Sequence, residues 1–176
     1  MQKIVLLSDT HSHIDDKMLK FIEPADMVIH AGDVGNVNVL NQLQNYKPTV
    51  AVFGNIDDAE MRTKLPQCVI FNIEDVKVLM THIGGYPGQY SPGIAKKIRE
   101  EKPQLFISGH SHILKVMFDK QLNCMHMNPG AAGLFGFHMV RTMLRFTIDG
   151  NKIENLEFWE MPKNHTITNE TSNGFF

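Results

Sequence analysis

The chain has 176 residues, of which 43% are apolar, enough to bury the core of one ordinary domain. Seventeen basic side chains against nineteen acidic ones leave a net charge of -2 with no run of lysine or arginine, so the sequence carries no nucleic-acid footprint and no polybasic membrane surface. The N-terminus enters a strand pattern at once, and no apolar stretch approaches a signal or membrane-span length, which makes a cytoplasmic protein the expectation.

Residues 2–8 form a nearly continuous apolar run, as a strand covered on both faces should, and Asp9 and His11 lie just past its end. Residues 15–21 read as a short helix with Met18 and Leu19 inward and Pro24 as its breaker. A second unit repeats the pattern: strand 27–31, the loop Gly32-Asp33-Val34-Gly35, and a helix over residues 37–44 presenting Val39, Leu40 and Leu43. Strand 49–53 then brings up Gly54-Asn55. Such alternation implies a parallel sheet, with ligands expected outside the carboxyl ends of its strands.

After a loop around Asp57 the pattern changes. Residues 68–73 and 76–81 flank Glu74-Asp75 as a hairpin, which predicts the start of a second, partly antiparallel sheet and delivers His82. Pro92 suits the first turn of a helix running to residue 101, and strand 105–108 ends in Gly109-His110-Ser111-His112. Antiparallel strands are predicted over 114–119, 123–128, 141–148 and 152–159, with Asp149-Gly150-Asn151 as a turn. A glycine-rich segment, residues 128–136, separates the second of these from the third. One domain over residues 1–162, followed by a polar tail at 163–176, is the expected organisation. Cys68 and Cys124 sit in apolar patterns and read as small buried thiols.

Five strand ends thus carry aspartate, asparagine or histidine. Neutral imidazole and carboxylate suit zinc, manganese and iron, where positions must stay open for water and substrate. The order D-x-H, G-D-x-x-G, G-N-x-D, H, G-H-x-H resembles the calcineurin-like metallophosphoesterases, and the short length resembles their small bacterial and archaeal phosphodiesterase branch. The resemblance covers residues 2 to about 130 and implies an α/β fold, a two-sheet sandwich flanked by helices. Carried over residue by residue, it implies Asp9, His11 and His112 on one divalent ion, Asn55, His82 and His110 on another, and Asp33 on both. Manganese is the expected metal, with zinc, iron and nickel as alternatives.

Two divalent ions against two carboxylates leave such a centre about +2, which favours a small phosphoric ester despite the acidic chain and lowers the pKa of a shared water, so that hydroxide serves as nucleophile. One departure stands out. Where many relatives follow the asparagine ligand with a histidine, this chain has Ile56, and a missing general acid costs about 10²–10⁴-fold. Diesters are therefore expected over monoesters. His13, close to a ligand pair, is the first candidate to assist the leaving group, with His126 and His138 next after it as substrate contacts; the five histidines outside the ligand set otherwise read as surface or structural groups, His30 and His165 among them. Asp57 reads equally as an acceptor orienting a ligand or as a loop cap, and Asn128 and Gly130, in an Asn-Pro-Gly loop like that of the small phosphodiesterases, as pocket wall. The competing expectation is a protein-binding scaffold, because a retromer subunit resembling these enzymes uses the same fold for protein contact. Oligomeric state is open, including a homo-oligomer.

Overall fold

A computed structural model describes residues 1–163. In chain order the elements are β1 (Gln2–Leu7), α1 (Asp16–Ile22), β2 (Met27–His30), α2 (Val37–Tyr46), β3 (Thr49–Ala51), α3 (Ala59–Lys64), β4 (Cys68–Ile73) and β5 (Val76–Thr81). A small hairpin of β6 (Gly85–Tyr86) and β7 (Gln89–Tyr90) leads to α4 (Ile94–Glu101), β8 (Leu105–Ile107), β9 (Leu114–Asp119), β10 (Cys124–Pro129), β11 (Val140–Asp149) and β12 (Lys152–Pro162). Most of the predicted tail, including His165, falls outside the described residues.

Two five-stranded sheets form, in the orders β12-β11-β1-β2-β3 and β4-β5-β8-β10-β9. Each has a parallel trio, β1-β2-β3 in the first and β5-β8-β10 in the second, flanked by antiparallel strands. The period-2 geometry of a strand explains why β1 is apolar throughout. Ile4 and Leu6 pack between the sheets with Val78, Met80, Ile107 and Phe146, while Val5 and Leu7 face α1, α2 and α3 through Met18, Ile22, Leu40, Leu43 and Met61. On the outer face of the second sheet, α4 contributes Ile98 against Leu79, Phe106 and Cys124. This is the expected two-sheet sandwich flanked by helices.

Three helices start where the sequence places a side-chain acceptor. Asp15 accepts from the Met18 N–H, Asn36 from that of Val39, and Asp58 from that of Met61, each meeting an amide the helix cannot satisfy itself. Helix α4 begins at Ile94, after a left-handed Gly93, so Pro92 precedes the helix instead of opening it. The segment after Asp57, expected as loop only, contains α3, which buries Met61.

Candidate metal centre

All six parallel strands point their carboxyl ends to one edge of the sandwich. Past β1 come Asp9 and His11, past β2 Asp33, past β3 Asn55, past β5 His82, and past β8 His110 and His112; Asn128 lies near the end of β10. Backbone bonding continues beyond the strands and locks these loops together: Asp9 N–H donates to Gly32 O at 3.0 Å, His11 N–H to Asp33 O at 3.1 Å, and Gly109 N–H to His82 O at 2.9 Å. Five of the candidate ligands, Asp9, His11, Asp33, His110 and His112, have positive φ between 47° and 68°. Aspartate and histidine tolerate that region better than most residues, and such conformations cluster where a fold forces a side chain toward a functional centre.

The donor atoms fall in two overlapping groups, Asp9 with His11 and His112, and Asp9 with Asp33 and His82. Asp9 Oδ1 lies 3.2 Å from His112 Nε2 and 3.9 Å from both His11 Nε2 and His82 Nε2. Asp33 Oδ2 lies 3.3 Å from His82 Nε2 and 3.9 Å from His11 Nε2, so it too faces both groups. Asn55 Oδ1 sits 3.1 Å from His82 Nε2. His110 is exposed, packs edge-on to His82, and joins neither tight group, although it borders the same cavity as Asn55.

Whether these residues suit divalent ions is answered by Asp9. Its side chain is fully buried; Oδ2 accepts from the His110 N–H at 3.1 Å, while Oδ1 has no hydrogen-bond partner among the described residues. An unpaired buried carboxylate oxygen is costly, and a cation among the three imidazole nitrogens that face it removes that cost. Burial alone would raise the Asp33 carboxyl, but the His82 ring and the Ile56 N–H beside it hold it below its ordinary value. Burial likewise favours neutral His82, yet Asp33 and Asp9 outweigh it and raise its pKa. The set fits divalent metal.

The surrounding shell is built to hold that geometry. Asp57, buried at 3% exposure, accepts from the N–H groups of Val34 at 3.2 Å, Gly35 at 2.7 Å and Gly54 at 2.8 Å, tying the Asp33 loop to the Asn55 loop. Arg62, on α3, donates to the carbonyls of Asp57 and Asn55 at 2.7 and 3.0 Å. His82 Nδ1 lies 2.8 Å from Ala31 O, a carbonyl that can only accept; the ring therefore donates from Nδ1 and turns Nε2 toward the cluster. At Gly54 a Cβ would stand 2.0 Å from Asp33 Oδ1, so no other residue fits there without moving the carboxylate.

Of the remaining predicted residues, Asn128 donates to Gly109 O at 2.8 Å and Ser111 Oγ at 3.1 Å, and so supports the histidine loop; it also borders a neighbouring cavity of about 190 Å³. Gly130 lies against Thr142. Asp57 proves to be a tether between loops, with its carboxylate directed at backbone amides. His13 Nε2 pairs with Asp15 Oδ2 at 3.1 Å and does not border the main cavity of about 550 Å³ over the candidate ligands. Asp15 is pulled the other way as well: burial would raise its carboxyl, but the Met18 N–H, Arg141 and His13 hold it at about 2.

His138, a weaker candidate than His13 from the sequence, borders that cavity, as do Phe135 and Phe137, which sequence reasoning did not single out. Phe135 packs against the His11 ring with centroids 5.3 Å apart, and His138 contacts His112. The only signal was the position of that segment after the last histidine motif. Both cysteines are free, and burial pushes the Cys124 thiol up to about 12, consistent with a packing role.

No helix among the described residues is long and apolar enough to cross a membrane. Residues 2–151 match the model of the calcineurin-like phosphoesterase superfamily domain. A probable metallophosphoesterase of Methanothermobacter thermautotrophicus is 27% identical over 157 residues, which cover 86% of this chain and 88% of that one. Among solved structures, a novel archaeal phosphodiesterase superposes with a TM-score of 0.70 at 21% identity over 91% of this chain and 99% of that one. Vps29 of Entamoeba histolytica complexed with zinc gives 0.70 at 16% identity, over 92% and 99% respectively. The likeness to the two structures bears on the fold, and the match over residues 2–151 decides the family: the chain belongs to the calcineurin-like phosphoesterase superfamily.

Proposed function

We propose that this protein is a metal-dependent phosphodiesterase with a dinuclear centre, in which Asp9, His11 and His112 hold one divalent ion, Asn55, His82 and His110 hold the other, and Asp33 serves both. The observation that carries the reading is the unpartnered, fully buried Asp9 Oδ1 among three imidazole nitrogens. Asp9 faces both donor groups and so joins Asp33 as a carboxylate within reach of either position. When bound, two divalent ions supply Lewis acidity toward the phosphoryl oxygens and a water acidified to near-neutral pKa. Manganese remains the favoured metal, because the donors are oxygen and imidazole without thiolate.

The chain's own groups set the limits of the chemistry. Ala31 O and the Nδ1–H of His82 keep one ring oriented with its Nε2 inward. Asp33 Oδ1 is anchored by the Ile56 N–H at 3.0 Å, which fixes the carboxylate plane. The Ile56 side chain is exposed and borders the main cavity, offering apolar surface where a proton donor would otherwise stand. A departing alkoxide therefore gets little help from the protein, and this supports the preference for diesters with good leaving groups over dianionic monoesters. Among the described residues no lysine or arginine borders the cavity, which fits a small ester better than a nucleic-acid strand.

With Mn²⁺ supplied, bis(4-nitrophenyl) phosphate is expected to be hydrolysed faster than 4-nitrophenyl phosphate. A monoester rate that exceeds the diester rate overturns the diester assignment. A second reading, a protein-binding scaffold, is favoured by the likeness to Vps29 and by the exposure of Ile113, Phe135 and Phe137 around the cavity. Absence of turnover with every divalent ion tried would move the assignment there.

A further inference from the structure

The glycine-rich segment after β10 acquires a role from its contacts. His138 Nε2 lies 3.1 Å from Gly133 O, and His138 Nδ1 lies 3.2 Å from His112 Nδ1. Gly133 O can only accept, so the His138 proton resides on Nε2 and its Nδ1 is a bare lone pair. His112 must then donate from Nδ1, which leaves Nε2, 3.2 Å from Asp9 Oδ1, as the ring nitrogen that faces the candidate ion position. The chain Gly133 carbonyl, His138, His112 accordingly selects the one tautomer of His112 able to bind an ion.

The same segment closes around the pair. Gly133 N–H is itself fixed by Asp9 O at 3.0 Å, which ties the acceptor end of the chain to the loop after β1. Gly136 has φ of +116°, and a Cβ there would stand 2.4 Å from His112 Nδ1 and 3.2 Å from His138 Nδ1. A side chain at 136 thus intrudes on the contact between the two rings, besides being strained in that backbone conformation.

We propose that His138 is a positioning residue that sets the tautomer of His112 and thereby the affinity of the ion position formed by Asp9, His11 and His112, without touching substrate or ion itself. This rests on the metal-centre reading for its second half only, because the tautomer exists without an ion. Its counterpart at the other position is Ala31 O, which accepts from His82; the two positions would then differ in that one orienting acceptor is backbone and the other a replaceable side chain.

The first test is ¹⁵N-correlated NMR of the imidazoles in chelator-treated, full-length protein. His112 carrying a proton on Nδ1 is expected, and His112 with an unprotonated Nδ1 overturns the proposal whatever the enzyme does. The second is calorimetric titration with Mn²⁺ of wild type, His138→Ala, His138→Gln and Gly136→Ala, with folding checked by circular dichroism. His138→Ala and Gly136→Ala should weaken one metal equivalent about 10–100-fold and leave the other near wild type. His138→Gln, whose amide oxygen can accept from His112 Nδ1, should restore most of the loss. Unchanged affinities in a folded His138→Ala variant, or equal loss of both equivalents, overturn it.

Discussion

Removing the Asp57 carboxylate should loosen both halves of the metal edge at once. In Asp57→Ala the N–H groups of Val34 and Gly54 are left buried without an acceptor, while that of Gly35, part-buried, can reach water. Orphaning a buried donor costs about 1–3 kcal/mol, and bonds to a charged acceptor sit at the upper end, so the two buried amides lose about 4 kcal/mol together. For a chain of this size that lowers the melting temperature by roughly 10 °C. Asp57→Asn separates the contributions. One carboxylate oxygen serves Val34 and Gly54 and the other serves Gly35; an amide oxygen turned to the first pair keeps two bonds and sets its NH₂ against the Gly35 N–H. A loss of about 2 kcal/mol follows. Urea unfolding of the three proteins with chelator present, so that ion binding does not mask the difference, gives the comparison. If Asp57→Ala lies within about 1 kcal/mol of wild type, or if the asparagine and alanine variants are equally destabilised, the tether is not what the three distances suggest.

Asp33→Asn should lose at least one metal equivalent by elemental analysis and lose diester hydrolysis with it; two retained equivalents and near-normal turnover would remove Asp33 from the centre. His30, fully buried, accepts from the Gly32 N–H at Nδ1 and donates from Nε2 to Thr10, and burial pushes its pKa down to about 4. Unfolded chain therefore takes up a proton that the native state refuses, and stability from this residue is present above about pH 6.5 and lost as pH falls toward 4. Replacing it by glutamine should flatten the pH dependence of unfolding in that window by up to one proton, and an unaltered slope would show that His30 is protonated in the fold. Ile56→His should help poor leaving groups more than good ones, flattening a plot of log rate against leaving-group pKa; an unchanged slope in a variant with intact metal content would mean that the ring at 56 does not reach the departing oxygen.

Much of this arrangement is legible from residue order alone. A strand with both faces buried must be apolar throughout, which is why residues 2–7 declare themselves and why Asp9 and His11 stand out beyond them. The ligand motifs sit at strand ends because only there does the backbone turn free of the ladder. What periodicity could not convey is which strands share a sheet: β11 returns across the chain to pair with β1 and carries β12 on its other edge, and the register of Leu144 against Leu6 is a long-range choice made by packing. Helix α3 escaped notice because it is short, although Asp58 before it and Met61 within it were the signals of a capped, one-sided helix. The left-handed conformations of five candidate ligands are imposed by the loops' mutual bonding, and no residue pattern announces them. His13 drew attention by proximity in sequence, yet its ring turns to Asp15, whereas His138, 26 residues past His112, arrives beside it through the fold.

The most direct measurement is a titration of chelator-treated protein with Mn²⁺ that follows bis(4-nitrophenyl) phosphate hydrolysis and bound metal together. The dinuclear account predicts no turnover without metal, and a rate that rises to its plateau as the second equivalent binds, with Asp9→Asn showing neither the plateau nor the full metal content. Full turnover in the stripped protein, or a plateau reached with one equivalent and unaltered by Asp9→Asn, would contradict it.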